Sequence, residues 1–383
     1  MILDEDHRMI RDAARKFARE RLQPGAAARD RESRFPKEEI AEMGALGFLG
    51  MLVPTEWGGA GADMLATALT MEEIAYGDAT CAVLMSSQNV GGCMPLLKYG
   101  TDEQKHRFLV PLAKGQMLSA FALTEPQGGS DNAAMTTRAR KVNGRYVISG
   151  TKQFITSGST GQIALVFAVT DPAAGKRGIT ALLVPMDSKG WQVVRVEDKM
   201  GLKSTDTCQI ALDQVEVEEH MRLGQEGEGL AIALSNLEGG RIGIAALAVG
   251  VAQAAFDAAL AYAKGRVAFG KPIFEHQAVC FRLAAMATRI EGARQLVHHS
   301  AVLRDAGLPC LKEACMAKLM ATDMAEQVCS DAIQTLGGYG YLADFPVERL
   351  YRDVRVSRIF EGTNDIQHLV IARELGRNES TGC

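Results

Sequence analysis

The stretch Ile163-Ala-Leu-Val-Phe-Ala-Val-Thr-Asp-Pro-Ala-Ala-Gly-Lys-Arg-Gly-Ile-Thr-Ala-Leu-Leu-Val184 decides the fold class. Two short β-rich runs, Ile163–Val169 and Ile179–Val184, are parted by the turn signal Asp171-Pro172. Similar runs flank them at Tyr146-Val-Ile-Ser149 and Trp191-Gln-Val-Val194. Asn143-Gly144, set between Arg140-Lys-Val142 and Tyr146-Val-Ile148, is a two-residue hairpin signal. Together these runs predict a small antiparallel barrel or sandwich within residues 117–225.

On either side of this zone the period becomes helical. In residues 1–116, Ile10, Ala14, Phe17, Ala18 and Arg21 form a helical stripe. Pro36 opens a second helix at a permitted first-turn position. Thr101-Asp-Glu-Gln104 fits a capping box, and Trp57-Gly-Gly-Ala-Gly61 is a glycine-rich loop between helices. In residues 226–383, Leu230, Leu234, Leu237, Arg241, Ile244, Ala248, Val251, Ala255, Ala258 and Tyr262 recur every three or four positions. They predict one long helix with a small-residue face, suited to close packing in a bundle. Further helical segments lie near 274–306, 311–336 and 363–376. The expected order is helices, a β insert, then a helical bundle: an α+β chain, mostly α. It is not a βαβ alternation, so a Rossmann nucleotide site is not expected.

Composition narrows the function. The chain of 383 residues is 47% hydrophobic and 23% charged, with net charge −4. Lys and Arg are scattered without a basic run, which argues against a nucleic-acid binder. Met1 to Glu20 is charged and helix-patterned, so no signal peptide is expected. No stretch approaches the roughly 18 uninterrupted apolar residues of a membrane span. The longest apolar region, Ile242 to Ala263, is interrupted by Gly243, Gly250, Gln253 and Asp257 and reads as a buried helix. The cysteines at 81, 93, 208, 280, 310, 315, 329 and 383 form no C-x-x-C pair and read as reduced, mostly buried thiols. His298 and His299 are neighbours on a helix and point apart, so no metal site is expected.

Four motifs carry possible chemistry. Ala122-Leu-Thr-Glu-Pro-Gln-Gly-Gly-Ser-Asp131 bares its backbone at Gly128 and Gly129 and offers the hydroxyls of Thr124 and Ser130 to a polar cofactor. An ordinary turn is the alternative. In Thr151-Lys-Gln-Phe-Ile-Thr-Ser-Gly158, Phe154 and Thr156 share a strand face, which suits either a flavin cover with a hydroxyl near N5 or a half-buried strand. Gln334-Thr-Leu-Gly-Gly-Tyr-Gly-Tyr341 holds three glycines where a helix C-cap accounts for one. In Arg358-Ile-Phe-Glu-Gly-Thr-Asn-Asp-Ile-Gln367, Glu361 follows an apolar pair and precedes a helix that Thr363 or Asn364 can cap. A carboxylate so placed, partly buried with a shifted pKa, suits a general base; a surface glutamate is the alternative.

The first and third motifs resemble the two signature patterns of the acyl-CoA dehydrogenase family. One runs from Ala122 to Ala134; the other runs from Gln334 to Asp353 with Gly337, Gly338, Gly340, Asp344 and Arg349. Arg266-Val-Ala-Phe-Gly-Lys271 and Met200-Gly-Leu-Lys-Ser-Thr-Asp206 resemble family segments in the same order. The resemblance covers almost the whole chain. It implies an N-terminal helical domain (1–116), a central antiparallel β domain (117–225) and a C-terminal four-helix bundle (226–383). It also implies bound FAD, a homotetramer, an acyl-CoA substrate and an electron-transferring flavoprotein as electron acceptor. A bacterial cytoplasm fits, and a processed mitochondrial matrix chain would look the same.

By position, the resemblance makes Phe121, Leu123, Thr124, Ser130, Phe154 and Thr156 flavin contacts. Phe154 stands where many relatives carry Trp. Arg266, Phe269, Gln277, Gln334, Gly337 and Gly338 would reach the FAD of a partner subunit, an arginine fork suiting a pyrophosphate. Thr363 and Asp365 would face the chain's own FAD, although relatives often carry Gln at the latter position. Ser130, Leu237, Glu238, Arg241 and Gly362 would line the thioester channel. Glu361 would remove the α-proton while the β-hydrogen leaves as hydride to flavin N5, giving a trans-2-enoyl-CoA. Some relatives place the base on the long helix directly before the arginine, where this chain has Gly240. Glu238 should point elsewhere. A short or branched-short acyl chain is expected from Glu238-Gly-Gly-Arg-Ile-Gly243. Between Tyr76 and Lys98 no cation is available for a dicarboxylic substrate. An acyl-CoA oxidase or flavin monooxygenase on the same fold, or a non-catalytic helical assembly protein, are the other readings.

Overall fold

The structure, a computed structural model, describes residues 2–378; Cys383 lies outside the described residues. The central zone forms β1 (Ser119–Ala122), β2 (Arg138–Val142), β3 (Arg145–Thr156), β4 (Ile163–Val169), β5 (Ile179–Pro185), β6 (Trp191–Val196), β7 (Thr207–Glu218) and β8 (Arg222–Leu223). Their order is β6-β7-β3-β2-β4-β5-β8, with β1 alongside β4. Asn143 and Gly144 both take positive φ (51° and 78°), and Val142 faces Arg145 across the tight hairpin they close. The apolar runs that decide the fold class become β4 and β5, both buried nearly end to end, at the centre of the sheet core.

The sheet departs from the antiparallel expectation in two pairings, both of them to β4. β1 runs parallel to β4 from Ser119 opposite Ile163 to Ala122 opposite Val166, and Arg138 of β2 meets Val169 of β4 in the same sense. β1 enters directly from the helices before it, so no hairpin dictates its direction. The two runs Tyr146–Ser149 and Thr151–Thr156 are one strand, β3, continued through Gly150, where a side chain would overlap Thr137. The long strand β7 is an element the sequence reading passed over. Its buried residues Cys208, Ile210 and Leu212 alternate, and the phase then slips at Gln214 (φ 51°) before Val215 and Val217.

The N-terminal helices are α1 (Glu5–Phe17), α2 (Gln23–Glu32), α3 (Lys37–Ala45), α4 (Met64–Gly77), α5 (Ala79–Ser86), α6 (Met94–Tyr99), α7 (Asp102–Gln104) and α8 (Val110–Ala113). The expected capping box at Thr101 is present, with both reciprocal hydrogen bonds. A π-helical turn at Ala18–Leu22 rephases the first stripe, so burial passes from Ala18 to Leu22 and Arg21 stays exposed.

The C-terminal helices are α9 (Gly229–Leu234), α10 (Leu237–Gly265), α11 (Gln277–Asp305), α12 (Leu311–Leu336), α13 (Pro346–Val354) and α14 (Asn364–Asn378). α12 packs against α10, α11 and α14, making the four-helix bundle. The single helix expected over 230–262 is broken at Ser235-Asn236, where Lys98 Nζ donates to Ser235 O (3.2 Å) and Asn236 Oδ1 (2.8 Å). α13 was not expected; Pro346 at its first turn is its local signal.

The Gly229–Gly265 segment is long and apolar enough to cross a membrane by length and composition, and 67% of its most apolar window is buried inside this chain. It is the axis of a core that also takes in Leu69 and Ile74 of α4, Met286 of α11 and Ala325 of α12. The first-zone helices divide between two cores, since Leu96, Phe108 and Leu109 pack under the sheet instead. Cys81, Cys93, Cys208, Cys310, Cys315 and Cys329 are buried free thiols, and Cys280 is half-buried.

α4 crosses α10 where α10 carries Gly250. A Cβ there would lie 2.1 Å from the Glu72 carbonyl oxygen, a backbone atom that cannot swing aside. Gly250→Ala is therefore expected to destabilise the protein by about 1–3 kcal/mol, through overpacking. Gly265→Ala, with nothing within 4 Å, should leave the melting temperature unchanged. Thermal unfolding of the two variants checks the pair.

Candidate active site

Between the 3-10 turn Arg355–Arg358 and α14 the chain places two successive residues in the left-handed region, Glu361 (φ 55°) and Gly362 (φ 88°). For a glutamate this conformation is unfavourable, and it persists only where surrounding contacts fix it. Those contacts are present. Gly362 O accepts from Lys318 Nζ (2.9 Å) and from Gln367 Nε2 (2.8 Å). Thr363 Oγ1 accepts from the Ile366 N–H (3.3 Å) and so caps α14, as expected. Asn364 instead turns toward α12, accepting from Lys318 Nζ (2.8 Å) and donating to Asp323 Oδ1 (2.8 Å) and Thr322 Oγ1 (3.0 Å).

The turn directs the Glu361 carboxyl at the first turns of α10, where Gly240 leaves room for it. A methyl group on Gly240 would stand 2.7 Å from Glu361 Oε2. Part of the Glu361 residue surface remains open, while its carboxyl sits deep in the protein. Burial pushes its pKa up, opposed by the charges of Arg241 and Lys318. Arg241 is buried, donates from one terminal nitrogen to Cys315 Sγ (3.4 Å), and has no partner for its Nε among the described residues. Glu238 is not part of this cluster; it lies 3.8 Å from Arg304 on α11 and 3.7 Å from Cys310 Sγ. Leu237 is half-buried at the start of α10.

A second group surrounds the loop after β1. Phe121 packs its ring 4.9 Å from Phe167. Leu123 O accepts from Lys152 Nζ (3.2 Å) and Thr124 O from the Gln153 N–H (2.9 Å). The organiser is Glu125, buried, which accepts from Lys152 Nζ (2.9 Å), the Thr136 and Thr137 N–H groups (2.7 and 3.0 Å), Thr136 Oγ1 (2.8 Å) and Gln127 Nε2 (2.6 Å). Burial raises the Glu125 carboxyl, but Lys152 and these donors overcome it and leave the pKa at about 2. Burial brings Lys152 down to about 8 against the pull of Glu125. Both remain charged at neutral pH. Phe154 occupies a bulge of β3 with φ 59° and is 64% exposed. Thr156, half-buried, follows it across the buried Ile155.

This second group fits a flavin. It offers an exposed aromatic face, the exposed Ser130, a Gly129 with nothing within 4 Å of its absent side chain, and a buried Asn132 Oδ1 that lacks a partner among the described residues. Asp365 is exposed beside the Glu361 turn.

A third group lies at the opposite end of α10. Arg266 caps the helix, with its guanidinium 5.8 Å from the Tyr339 ring; Phe269 (φ 53°) stands 96% exposed at the next hairpin; Gln277 begins α11. Gln334, Gly337 and Gly338 are exposed at the end of α12. Of the three clustered glycines, Gly337 takes positive φ (62°), Gly340 would collide with Ile333 O (2.5 Å), and Gly338 faces open space. Counting 26 residues from Gly240 to Arg266 at 1.5 Å each puts this group roughly 39 Å from Glu361. One chain does not bring the first and third groups together.

Lys318 and Lys152 escaped the sequence reading. A signal for Lys318 was available: it falls on the apolar stripe Ala314, Ala317, Ala321 and Ala325 of α12, where a charge must have a reason. A cavity of about 420 Å³ between α1, α4, α10 and α11 is lined by paired groups, among them Arg15 with Glu73 and Arg294 and His298 with Glu72, and contains none of the expected site residues.

Comparison with known proteins gives a consistent picture. Residues 4–116, 120–215 and 227–376 match the family models for the acyl-CoA dehydrogenase N-terminal, middle and C-terminal domains. An acyl-CoA dehydrogenase of Bacillus subtilis is 45% identical over 375 residues, covering 98% of this chain and 99% of the relative. The mitochondrial short-chain specific acyl-CoA dehydrogenase of Homo sapiens is 44% identical over 98% of this chain and 91% of its own length. Among solved structures, butyryl-CoA dehydrogenase from Megasphaera elsdenii superimposes with a TM-score of 0.95 at 39% identity, covering 98% of this chain and 99% of that one. A chain from a structure of the electron transferring flavoprotein of Acidaminococcus fermentans gives 0.96 at 40% identity, covering 98% and 99%.

Removing Lys152 alone strands a buried carboxylate, so Lys152→Met should cost about 3–5 kcal/mol in urea unfolding. The Glu125 pKa is lower folded than unfolded. Its contribution is therefore complete above about pH 4.5 and lost as the pH falls toward 2. That acid dependence should shrink in Lys152→Met, as unfolding measured across this window will show.

Proposed function

The chain belongs to the acyl-CoA dehydrogenase family, and from that premise we propose that Glu361 removes the α-proton of a short or branched-short saturated acyl-CoA on the way to a trans-2-enoyl-CoA. The observation that carries the reading is the Glu361 carboxyl held in a left-handed turn against the bare backbone of Gly240. Gly240 is also where some relatives mount their base. The two positions converge on one point, and among the described residues Glu361 brings a carboxylate to it.

The thioester carbonyl makes the α C–H acidic, and the backbone N–H of Glu361 is suited to stabilise the charge developing on that oxygen. A carboxyl whose pKa is raised by burial is a stronger base once ionised, and the charges of Arg241 and Lys318 oppose that rise by favouring the ionised form. FAD, when bound, supplies the two-electron acceptor for the β-hydride. Phe121, Leu123, Thr124, Ser130, Phe154, Thr156, Thr363 and Asp365 would hold it in the same chain. Gly362, Leu237 and Arg241 would flank the thioester; Glu238, drawn toward Arg304, contributes from the edge of that channel. The short-chain relatives and the butyryl-CoA dehydrogenase likeness support a short acyl group.

Arg266, Phe269, Gln277, Gln334, Gly337 and Gly338, too distant for the chain's own site, would serve the FAD of a second copy in a homotetramer. The bacterial and mitochondrial relatives support a bacterial cytoplasm or a mitochondrial matrix. The likeness to a chain in the Acidaminococcus structure supports an electron-transferring flavoprotein as acceptor.

Anaerobic bleaching of the flavin by a series of saturated acyl-CoAs tests the reaction. Butyryl-CoA should outrun octanoyl-CoA, and Glu361→Gln should lose about 10²–10⁴-fold in rate. A yellow protein bleached by no thioester would end the dehydrogenase reading. Arg266→Ala should lose flavin, and oligomers reassembled from Arg266→Ala and Glu361→Gln chains should regain activity neither parent shows. No regain would place Arg266 outside the shared site.

A further inference from the structure

We infer that Lys318 is a positioning residue for Glu361: its ammonium ties the left-handed turn to α12 and supplies positive charge beside the base. The inference rests on Glu361 being the base and adds a group to it.

Lys318 is fully buried. Among the described residues no carboxylate lies within ion-pair distance of its Nζ, which donates instead to Gly362 O (2.9 Å) and Asn364 Oδ1 (2.8 Å). Both acceptors lie within three residues of Glu361. A buried ammonium without a paired carboxylate is costly, and an apolar residue at this position of α12 would avoid the cost. The charged groups facing it are Glu361 from the turn, Asp323 from its own helix, Arg241 from α10 and Arg358 from the 3-10 turn. Asp323 is already engaged, by Arg358 Nε (2.7 Å) and by Asn364 Nδ2 (2.8 Å). Glu361 is the carboxylate left for Lys318 and Arg241 to act on. Burial lowers Lys318 to about 8, against the pull of Glu361 and then Asp323, so its charge is present at neutral pH and is lost in mildly alkaline solution.

A lysine that only tied two chain segments together would affect stability and leave the titration of Glu361 alone. A lysine that also poises the base would affect both, which separates the two roles.

The test compares wild type, Lys318→Met and Lys318→Gln, each loaded with FAD, by anaerobic flavin reduction with butyryl-CoA across pH. Both variants should reduce about 10²-fold more slowly, the scale of a small misplacement of a catalytic group. Their acidic limb should move to higher pH, because a carboxyl that loses a neighbouring cation holds its proton more tightly. The wild-type decline above about pH 8 should disappear. Lys318→Arg, which keeps the charge, should restore the acidic limb. Lys318→Gln keeps an N–H donor for Gly362 O and carries the test if the methionine variant does not fold. A flavin-loaded Lys318→Gln with wild-type rate and an unmoved acidic limb overturns the inference.

A second readout needs no turnover. Glu361→Gln should shift the melting temperature differently in wild-type and Lys318→Gln backgrounds, by about 2 °C or more. Equal shifts would mean the two side chains do not interact. If no acyl-CoA reduces wild type, the dehydrogenation reading fails, while this thermal cycle still decides whether Lys318 acts on Glu361.

Discussion

A helix admits a carboxyl or another backbone to its surface only where it has no side chain, and α10 meets that condition at the two places on which this molecule depends. At Gly250 the missing side chain lets α4 settle onto the bundle, joining N-terminal and C-terminal helices in a single core. At Gly240 it leaves the space that the Glu361 carboxyl enters. Alanine and glycine make the helix apolar without making it wide. That is why so hydrophobic a segment sits inside a chain of ordinary composition.

Around this axis the two buried lysines do related work by different means. Lys152 meets a full carboxylate, and Glu125 passes the order on to backbone N–H groups that set the loop's course. Lys318 meets a carbonyl and an amide oxygen, which leaves its charge unneutralised at close range. The first arrangement fixes a shape. The second fixes a shape and a potential, and it lies beside Glu361, the base proposed above.

Much of this was legible in the sequence. Period-2 runs, turn dipeptides and small-residue stripes gave the succession of helices, sheet and bundle, and Asn143-Gly144 located its hairpin to the residue. The misses have physical causes. β1 joins β4 through a long-range parallel contact with no local mark; β7 hides its alternation behind the slip at Gln214; the break before α10 comes from Lys98, far away in sequence, at carbonyl and amide groups of Ser235 and Asn236. Glu361 was readable as a candidate because an acid after an apolar pair and before a glycine is unusual. Its confrontation with Gly240 required three dimensions, and so did the role of Lys318, whose sequence mark was a cation on an alanine stripe.

The exposed rings at the far end of α10 bear on the life of the newly made chain. Phe269 and Tyr341 are 96% and 85% exposed, with Phe281 of α11 also at the surface. A newly made chain therefore carries sticky surface of the kind that chaperones and quality-control proteases recognise. In the homotetramer proposed above these rings would be covered, and abundance in the cell would then rise more steeply than synthesis rate.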